Sequence, residues 1–463
     1  MNTIPEELSA AIHSTTQAIN INWILLTAFL VMFMQTGFAM LETGFCRAKN
    51  AAHTFFMNFT VYFLGIIGFW IAGFALQMGG AALTATGGLG TLAPLNGLFS
   101  INFMGHSLGF FGTKGFLLGN EFIDAGVLAL FVHHMVFLDT AMTIPTGAMA
   151  ERWKSINFLF YCMLMSVLVY PIYANWVWGG GWLSQLGSAF GLGHGSVDFA
   201  GSSVVHVLGG SAALAGAWVL GPRLGKYDRN GRAVPMPGHN IPMAIIGMFI
   251  LGFGWFGFNA SSTLSGSDPR VSLVVVNTML ASASGAIASM FYLYFKIEKF
   301  DPGMTANGFL AGLVSITASC AFVSPMVAFL VGGVGGILVC VISSFLEHAL
   351  KIDDPVGAIA VHLGCGAWGM LAVGLFANGS YGEGTNGVPG AVRGLFYGDA
   401  GQLGAQIIGI IVCFAWAFGV CWTFFKVTDM IWGIRVNVEV EVKGLDTTEC
   451  GTQAYADFVV RRT

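Results

Sequence analysis

The sequence predicts an all-α integral membrane protein of eleven transmembrane helices, built as an inverted five-helix repeat plus one extra C-terminal helix. Three observations carry this. Of 463 residues, 55% are hydrophobic and 9% charged, against about 25% charged in a soluble domain. Apolar stretches long enough to cross a bilayer recur along the chain. Two distant segments repeat one pattern in opposite orientation: Asp198 to His206 and Asp354 to His362 each carry Asp, Gly at +3, Val at +7 and His at +8.

The spans fall at about 22–44, 52–78, 125–149, 155–178, 200–221, 239–261, 271–295, 304–322, 325–346, 355–377 and 402–426. Basic residues orient them. Arg47, Lys49, Arg152, Lys154, Arg223, Lys226, Arg229, Arg232, Lys296, Lys299, Lys351, Lys426, Arg435, Lys443, Arg461 and Arg462 share one side if the spans alternate. Lys114, Arg270 and Arg393 lie on the other. This predicts an outer N-terminus, a cytoplasmic C-terminus and an odd number of spans. The fifth and tenth spans then run antiparallel, so spans one to five mirror six to ten. A weaker echo, F-x3-G-F, ends at Phe38 in the first span and at Phe258 in the sixth.

At ~1.5 Å per residue each His lies roughly 12 Å past its Asp, near the middle of a ~30 Å hydrocarbon layer. An ionisable residue at that depth reads as a functional site, and the pseudo-twofold brings His206 and His362 together. Asp198 and Asp354 are expected to cap their helices through the free N–H groups and the positive dipole end. Around Asp198 the carbonyls of Ala200 and Gly201 are expected to face the site.

The 65 glycines favour close helix contact. The formal net charge of -4 argues against nucleic acid. The eight cysteines are scattered without a CxxC, so they read as core residues rather than metal ligands or disulfides. The polar, acidic start lacks the basic region of a cleavable signal peptide. Residues 79–124 and 378–401 are Gly-rich outer loops, and Trp176 and Trp182 read as interfacial belt residues. The membrane domain is expected to span 1–426. Residues 427–463 form a charged tail, with Val436 to Val442 alternating in polarity, that packs on the cytoplasmic loops or a partner. No nucleophile–base set or phosphate-binding loop points to an enzyme, and no cofactor is implied.

Several stretches together resemble the ammonium transporter (Amt/Mep/Rh) family: Asp198-Phe199-Ala200-Gly201 through His206, Gly252 to Ala260, Asp353-Asp354-Pro355 through His362, Gly147 to Arg152, and Trp178-Gly179-Gly180-Gly181. The resemblance implies a homotrimer of eleven-helix protomers in the plasma (inner) membrane, each with a narrow apolar pore for ammonium/ammonia, with methylammonium left open. His206 and His362 resemble the twin pore histidines and are expected to relay protons. Phe137, Trp178 and Ser262 resemble the outer recruitment site, and Phe137 with Phe258 a stacked phenyl gate. The tail, through Gly444 to Gly451 and Ala454-Tyr455, is similar to that of bacterial members, which implies a PII-type regulatory protein as partner. His133 and His134 depart from the family pattern. They either line the outer vestibule or face the outer loop or a neighbouring protomer, and His194 is similarly open. The resemblance also covers sensors that use this fold with a signalling kinase.

Overall fold

The structure is a computed structural model that describes residues 6–83 and 88–457. Its helices are α1 Glu6–Phe45, α2 Ala48–Leu83, α3 Ala125–Ala148, α4 Ser155–Trp178, α5 Ser202–Leu220, α6 Ile241–Ser261, α7 Val271–Ile297, α8 Pro302–Ile316, α9 Pro325–His348, α10 Ala360–Phe376 and α11 Ala400–Trp432. Among the described residues nine are long and apolar enough to cross a membrane. The two at the predicted eighth and tenth positions, α8 and α10, are shorter. Most of α3 and α5 is buried, whereas α11 is largely uncovered, so α3 and α5 are central and α11 peripheral.

Differences from the sequence reading have local causes. The first helix starts at Glu6 rather than 22 and has 40 residues. That is about 60 Å, twice the hydrocarbon thickness. Its opening turns are exposed, and Glu6 and Glu7 favour a helix start there. The last helix runs six residues past 426 to Trp432, so the tail begins later. Its alternating stretch forms a short helix, α12 Val438–Lys443, and α13 Leu445–Glu449 follows. Residues 458–463, with Arg461 and Arg462, lie outside the described residues. The loop between α2 and α3 holds a hairpin, β1 Leu98–Phe103 with β2 His106–Gly112. Its antiparallel register pairs Phe103 with His106 around Met104-Gly105.

The F-x3-G-F echo is a contact. α1 and α6 cross where Gly37 lies against Gly247 and Leu251, and Gly257 against Thr27 and Leu30. A Cβ on Gly37 would come within 3.0 Å of the Gly247 carbonyl oxygen, so only a small residue lets the backbones approach this closely.

Predicted basic-side residues converge at one end of the bundle. Arg47 pairs with Glu151, Arg223 with both Glu151 and Asp353, and the Arg152 guanidinium donates to the Asp353 carbonyl at 2.8 Å. Burial alone would raise the carboxyl of Asp353. The charge of Arg152 and the fork of Arg223 outweigh it and hold Asp353 well below the usual range. Glu151 behaves alike: burial raises it, and Arg223 and Arg47 bring it below its ordinary value.

The tail packs on this end, as expected. Lys49 donates to the Glu441 and Val442 carbonyls at 3.0 and 2.9 Å. Glu441 accepts from Arg435 and from the Leu224 amide. Asp446 accepts from the His53 amide, and Tyr455 meets His239 at 2.7 Å. The eight cysteines are all free, seven of them buried.

Candidate functional site

Both histidines stand on helices that begin with a wide turn. Residues Ser202–Val207 and Ala360–Gly364 are π-helical, a form concentrated at functional sites. Each is preceded by a glycine in the left-handed region, Gly201 at φ +111° and Gly357 at φ +80°, which only glycine adopts without strain. Asp198 then closes the start of α5. Its carboxylate accepts from the amides of Gly201, Ser202, Ser203 and Val204 at 2.7–3.0 Å and from the Ser203 hydroxyl at 2.8 Å. Asp354 accepts from Gly357 and Ile359 at 3.0 and 2.7 Å. Both capping assignments agree with the geometry. The Gly201 carbonyl does not face the site: it accepts from Val205 and His206, because the wide turn uses that carbonyl to start the helix.

The rings form a column. At one end Trp178 and Ser262 line a depression of about 700 Å³ together with His133 and His134. The Trp178 indole N–H donates to the Asp198 main-chain carbonyl at 2.7 Å, so the Asp198 loop fixes the indole. Ser262 donates to the Phe258 carbonyl at 3.2 Å and keeps lone pairs to accept with. Next, Phe137 and Phe258, both fully buried, stack at 4.1 Å and 22°. Trp178 meets Phe137 edge-on at 5.9 Å. His206 lies 5.7 Å from Phe258 and stacks on Trp255 at 5.2 Å. His362 follows, its Nδ1 3.1 Å from the Nδ1 of His206. Phe38 lies 6.4 Å from His362. A second depression of about 370 Å³, lined in part by Phe45, Asp353, Asp354 and Val356, opens at the ion-network end.

The Nδ1–Nδ1 contact constrains the tautomers. One nitrogen must carry the proton and the other accept it. A neutral pair therefore presents one Nε2 lone pair and one Nε2–H. The Nε2 of His206 is buried and has no protein partner.

All the predicted ring residues thus come together. Sequence reasoning missed two neighbours, Phe38 and Trp255. Both lie within stretches already singled out, and the repeat was the usable signal: Phe38 stands to His362 as Phe258 stands to His206. His133 and His134 are buried in the depression wall, not on the outer loop. The ring of His133 lies 4.6 Å from Phe137, and that of His134 lies 5.7 Å from Trp178, with its Nδ1 2.9 Å from the Gln77 amide. His194 is buried and bonds the Gly390 carbonyl, in the loop between α10 and α11, at 3.0 Å. Trp176 and Trp182 pack on each other at 5.8 Å, and Trp176 donates to the Phe110 carbonyl of the hairpin.

Fold and site together define a multi-pass membrane protein whose bundle holds a buried column of aromatic and imidazole rings between two depressions. The sequence matches the profile of the Ammonium Transporter Family over residues 22–455. The chain belongs to this family. It is 45% identical to the ammonium transporter Amt2 of Archaeoglobus fulgidus over 443 residues, covering 95% of this chain and 89% of that protein. It is 33% identical to the ammonium transporter Amt1 of Haloferax mediterranei, covering 96% and 80%. Among solved structures it is similar to a Sensor Amt Protein, with TM-score 0.81, 34% identity and coverage of 94% and 99%. It is also similar to Candida albicans Mep2, with TM-score 0.76, 26% identity and coverage of 91% and 87%.

Proposed function

We propose that this chain transports ammonium by gathering the cation at the Trp178 depression, removing its proton, and passing ammonia along the column of rings. The observation that carries the reading is the His206–His362 contact at 3.1 Å, sealed behind the Phe137–Phe258 stack. The chemical problem is to admit NH4+ and refuse K+, which has similar size and equal charge. Moving a bare cation into an apolar tube costs many kcal/mol unless it is paired, and the rings of the column carry no carboxylate. Deprotonation solves this for ammonium, and K+ has no proton to lose.

At the mouth, an indole face such as that of Trp178 attracts a cation by ~0.5–2 kcal/mol. Ser262 accepts a hydrogen bond that NH4+ can donate and K+ cannot. Phe137 and Phe258 continue the cation–π surface and exclude water. Below them His206 and His362 offer ammonia one acceptor and one donor, and the shared Nδ1 proton makes them the proton relay. Two adjacent imidazoles cannot cheaply both be cations, so one proton moves at a time. His133 and His134 line the vestibule, and Asp198, Ala200, Gly201 and Asp354 hold the two helix starts.

In this reading eleven helices cross a cell membrane with the N-terminus outside and the ion network and tail in the cytoplasm. Three protomers assemble, each with its own pore. A PII-type protein meets the cytoplasmic face, and methylammonium is a candidate second cargo. Currents evoked by ammonium pulses on solid-supported membranes test it. Wild type should give a transient current that His206→Ala and His362→Ala each cut at least tenfold. Uptake without charge movement in the wild type sinks the relay. A second reading, an ammonium sensor, is favoured by the likeness to the Sensor Amt Protein. Complementation of a strain lacking its own ammonium transporters separates the two, since a sensor would not restore growth.

A further inference from the structure

One buried acid stands outside the column. Asp139 is 1% exposed, and neither carboxyl oxygen has a hydrogen-bond partner. It lies two residues past Phe137 on α3, about 3 Å further along the axis and on a different face. A polar neighbour is Gln35 of α1, whose amide donates to the Asp139 main-chain carbonyl at 3.4 Å. Gly65 of α2 leaves room beside it, since a Cβ there would sit 3.4 Å from Oδ1. The titratable groups nearest it are Tyr62 of α2 and Cys162 of α4, and no Lys or Arg pairs with it among the described residues.

From Asp139 a polar stripe runs toward the ion-network end. Thr143 donates to Gln35 Oε1 at 3.0 Å. Thr146, one turn further, donates to Glu42 Oε2 at 2.7 Å, and so does Asn58. These residues lie at heptad spacing on all three helices: 139 and 146 on α3, 35 and 42 on α1, 58 and 65 on α2. The stripe therefore advances about 10 Å. Glu42 is buried beside Gly147, and five residues further along α1's connection Arg47 joins the ion network. A carboxyl buried without donors needs a positive occupant. A metal ion or ammonium there would need several oxygens, and the neighbouring Gln35 oxygen already accepts from Thr143. A proton needs one.

We propose that Asp139 is a second intramembrane proton-binding site, which takes the proton handed on by the His206–His362 relay and passes it toward Glu42 along the stripe of Gln35, Thr143 and Thr146. This rests on the transport reading above. At the depth of the phenyl gate an N–H bond of NH4+ breaks, with the electron pair left on nitrogen. The released proton enters the histidine pair; an imidazole N–H bond then breaks as an O–H bond forms on Asp139, and the proton passes on to Glu42, while ammonia follows the rings. Currents and stopped-flow ammonia fluxes in proteoliposomes test it. Asp139→Asn and Glu42→Gln should each lower the charge moved per ammonia at least fivefold and flatten its pH dependence, with Asp139→Glu restoring both. Equal loss of flux and current, or unchanged currents in a folded Asp139→Asn protein, overturns it. Infrared difference spectra do not depend on transport: the wild type should show a buried protonated-carboxyl band that Asp139→Asn lacks, and identical spectra also overturn the proposal. A wild type without any ammonium current would instead sink the transport reading.

Discussion

Asp198→Ala separates a structural from a ligand-binding role for the acid at the mouth. The carboxylate accepts four buried amides and one hydroxyl. Alanine leaves those four amides without acceptors at the start of a wide turn whose own carbonyls point away. Each buried donor left unmade costs ≈ 1–3 kcal/mol, so the sum is about 4–12 kcal/mol. With an unfolding entropy of ≈ 2.1 cal/mol/K per residue, a chain of this length loses about 1 °C of Tm per kcal/mol. Asp198→Ala should therefore melt roughly 4–12 °C below wild type. The Asp198 loop also holds the Trp178 indole through its main-chain carbonyl, so transport should fall along with stability. Asp198→Asn keeps one acceptor oxygen and should fall between the two. The assay is thermal unfolding of detergent-solubilised protein beside transport in liposomes. A variant that melts within 1 °C of wild type while ammonium binding weakens would refute the capping argument and make Asp198 a direct contact.

Two further outcomes follow from the ion-network end. Asp353 and Glu151 are held below their ordinary values, so they contribute stability that is fully present above the unfolded values near 4 and is lost as pH falls through the lowered folded ones. Melting temperature should be flat from pH 8 to about 5 and drop steeply below about 4; a flat profile down to pH 3 refutes the network's contribution. Glu441→Ala removes the acceptor of Arg435 and of the Leu224 amide, a loss of about 2 kcal/mol for charge-assisted bonds. Trypsin should then cut the tail after Lys443 at least fivefold faster, and an unchanged cleavage rate would show that the tail is held elsewhere.

Spans were legible because membrane helices leave a strong one-dimensional signal, and the Asp–Gly–Val–His repeat located both site helices. The repeat also located the partner phenylalanine of each His, although only Phe258 was read from it. Networks formed in three dimensions were not legible. Arg47, Glu151, Arg223 and Asp353 come from four connections far apart in sequence, and charge counting assigns them a side without pairing them. The extent of α1 was missed for another reason: Glu6 to Asn20 is polar, and a hydropathy reading stops where the apolar run stops although the helix does not. The Gly201 carbonyl was misread because a wide turn cannot be distinguished from an ordinary helix start by residue type. Asp139 was visible all along as an acid inside an apolar span, a rarity that by itself marks a site, but the motif residues around it drew the reading elsewhere.

The strongest link from structure to chemistry is the direction of the histidine contact. Each neutral ring carries one proton, so the ring that donates in the contact turns a lone pair to the column and the ring that accepts turns an N–H to it. Joined by one hydrogen bond, the pair always shows one donor and one acceptor, here both at Nε2. Ammonia, which both donates and accepts, fits such a pair in either arrangement. Potassium ion, which only seeks acceptors, meets a donor at one of the two rings whichever tautomer is present. Moving the shared proton exchanges the two roles without adding charge only when a proton joins Nε2 of the donating ring and the Nε2 proton of its partner leaves. In the proposed transport reading, selectivity then rests on the proton that ammonium loses and on hydrogen-bond complementarity in a dry space, and cation size plays little part.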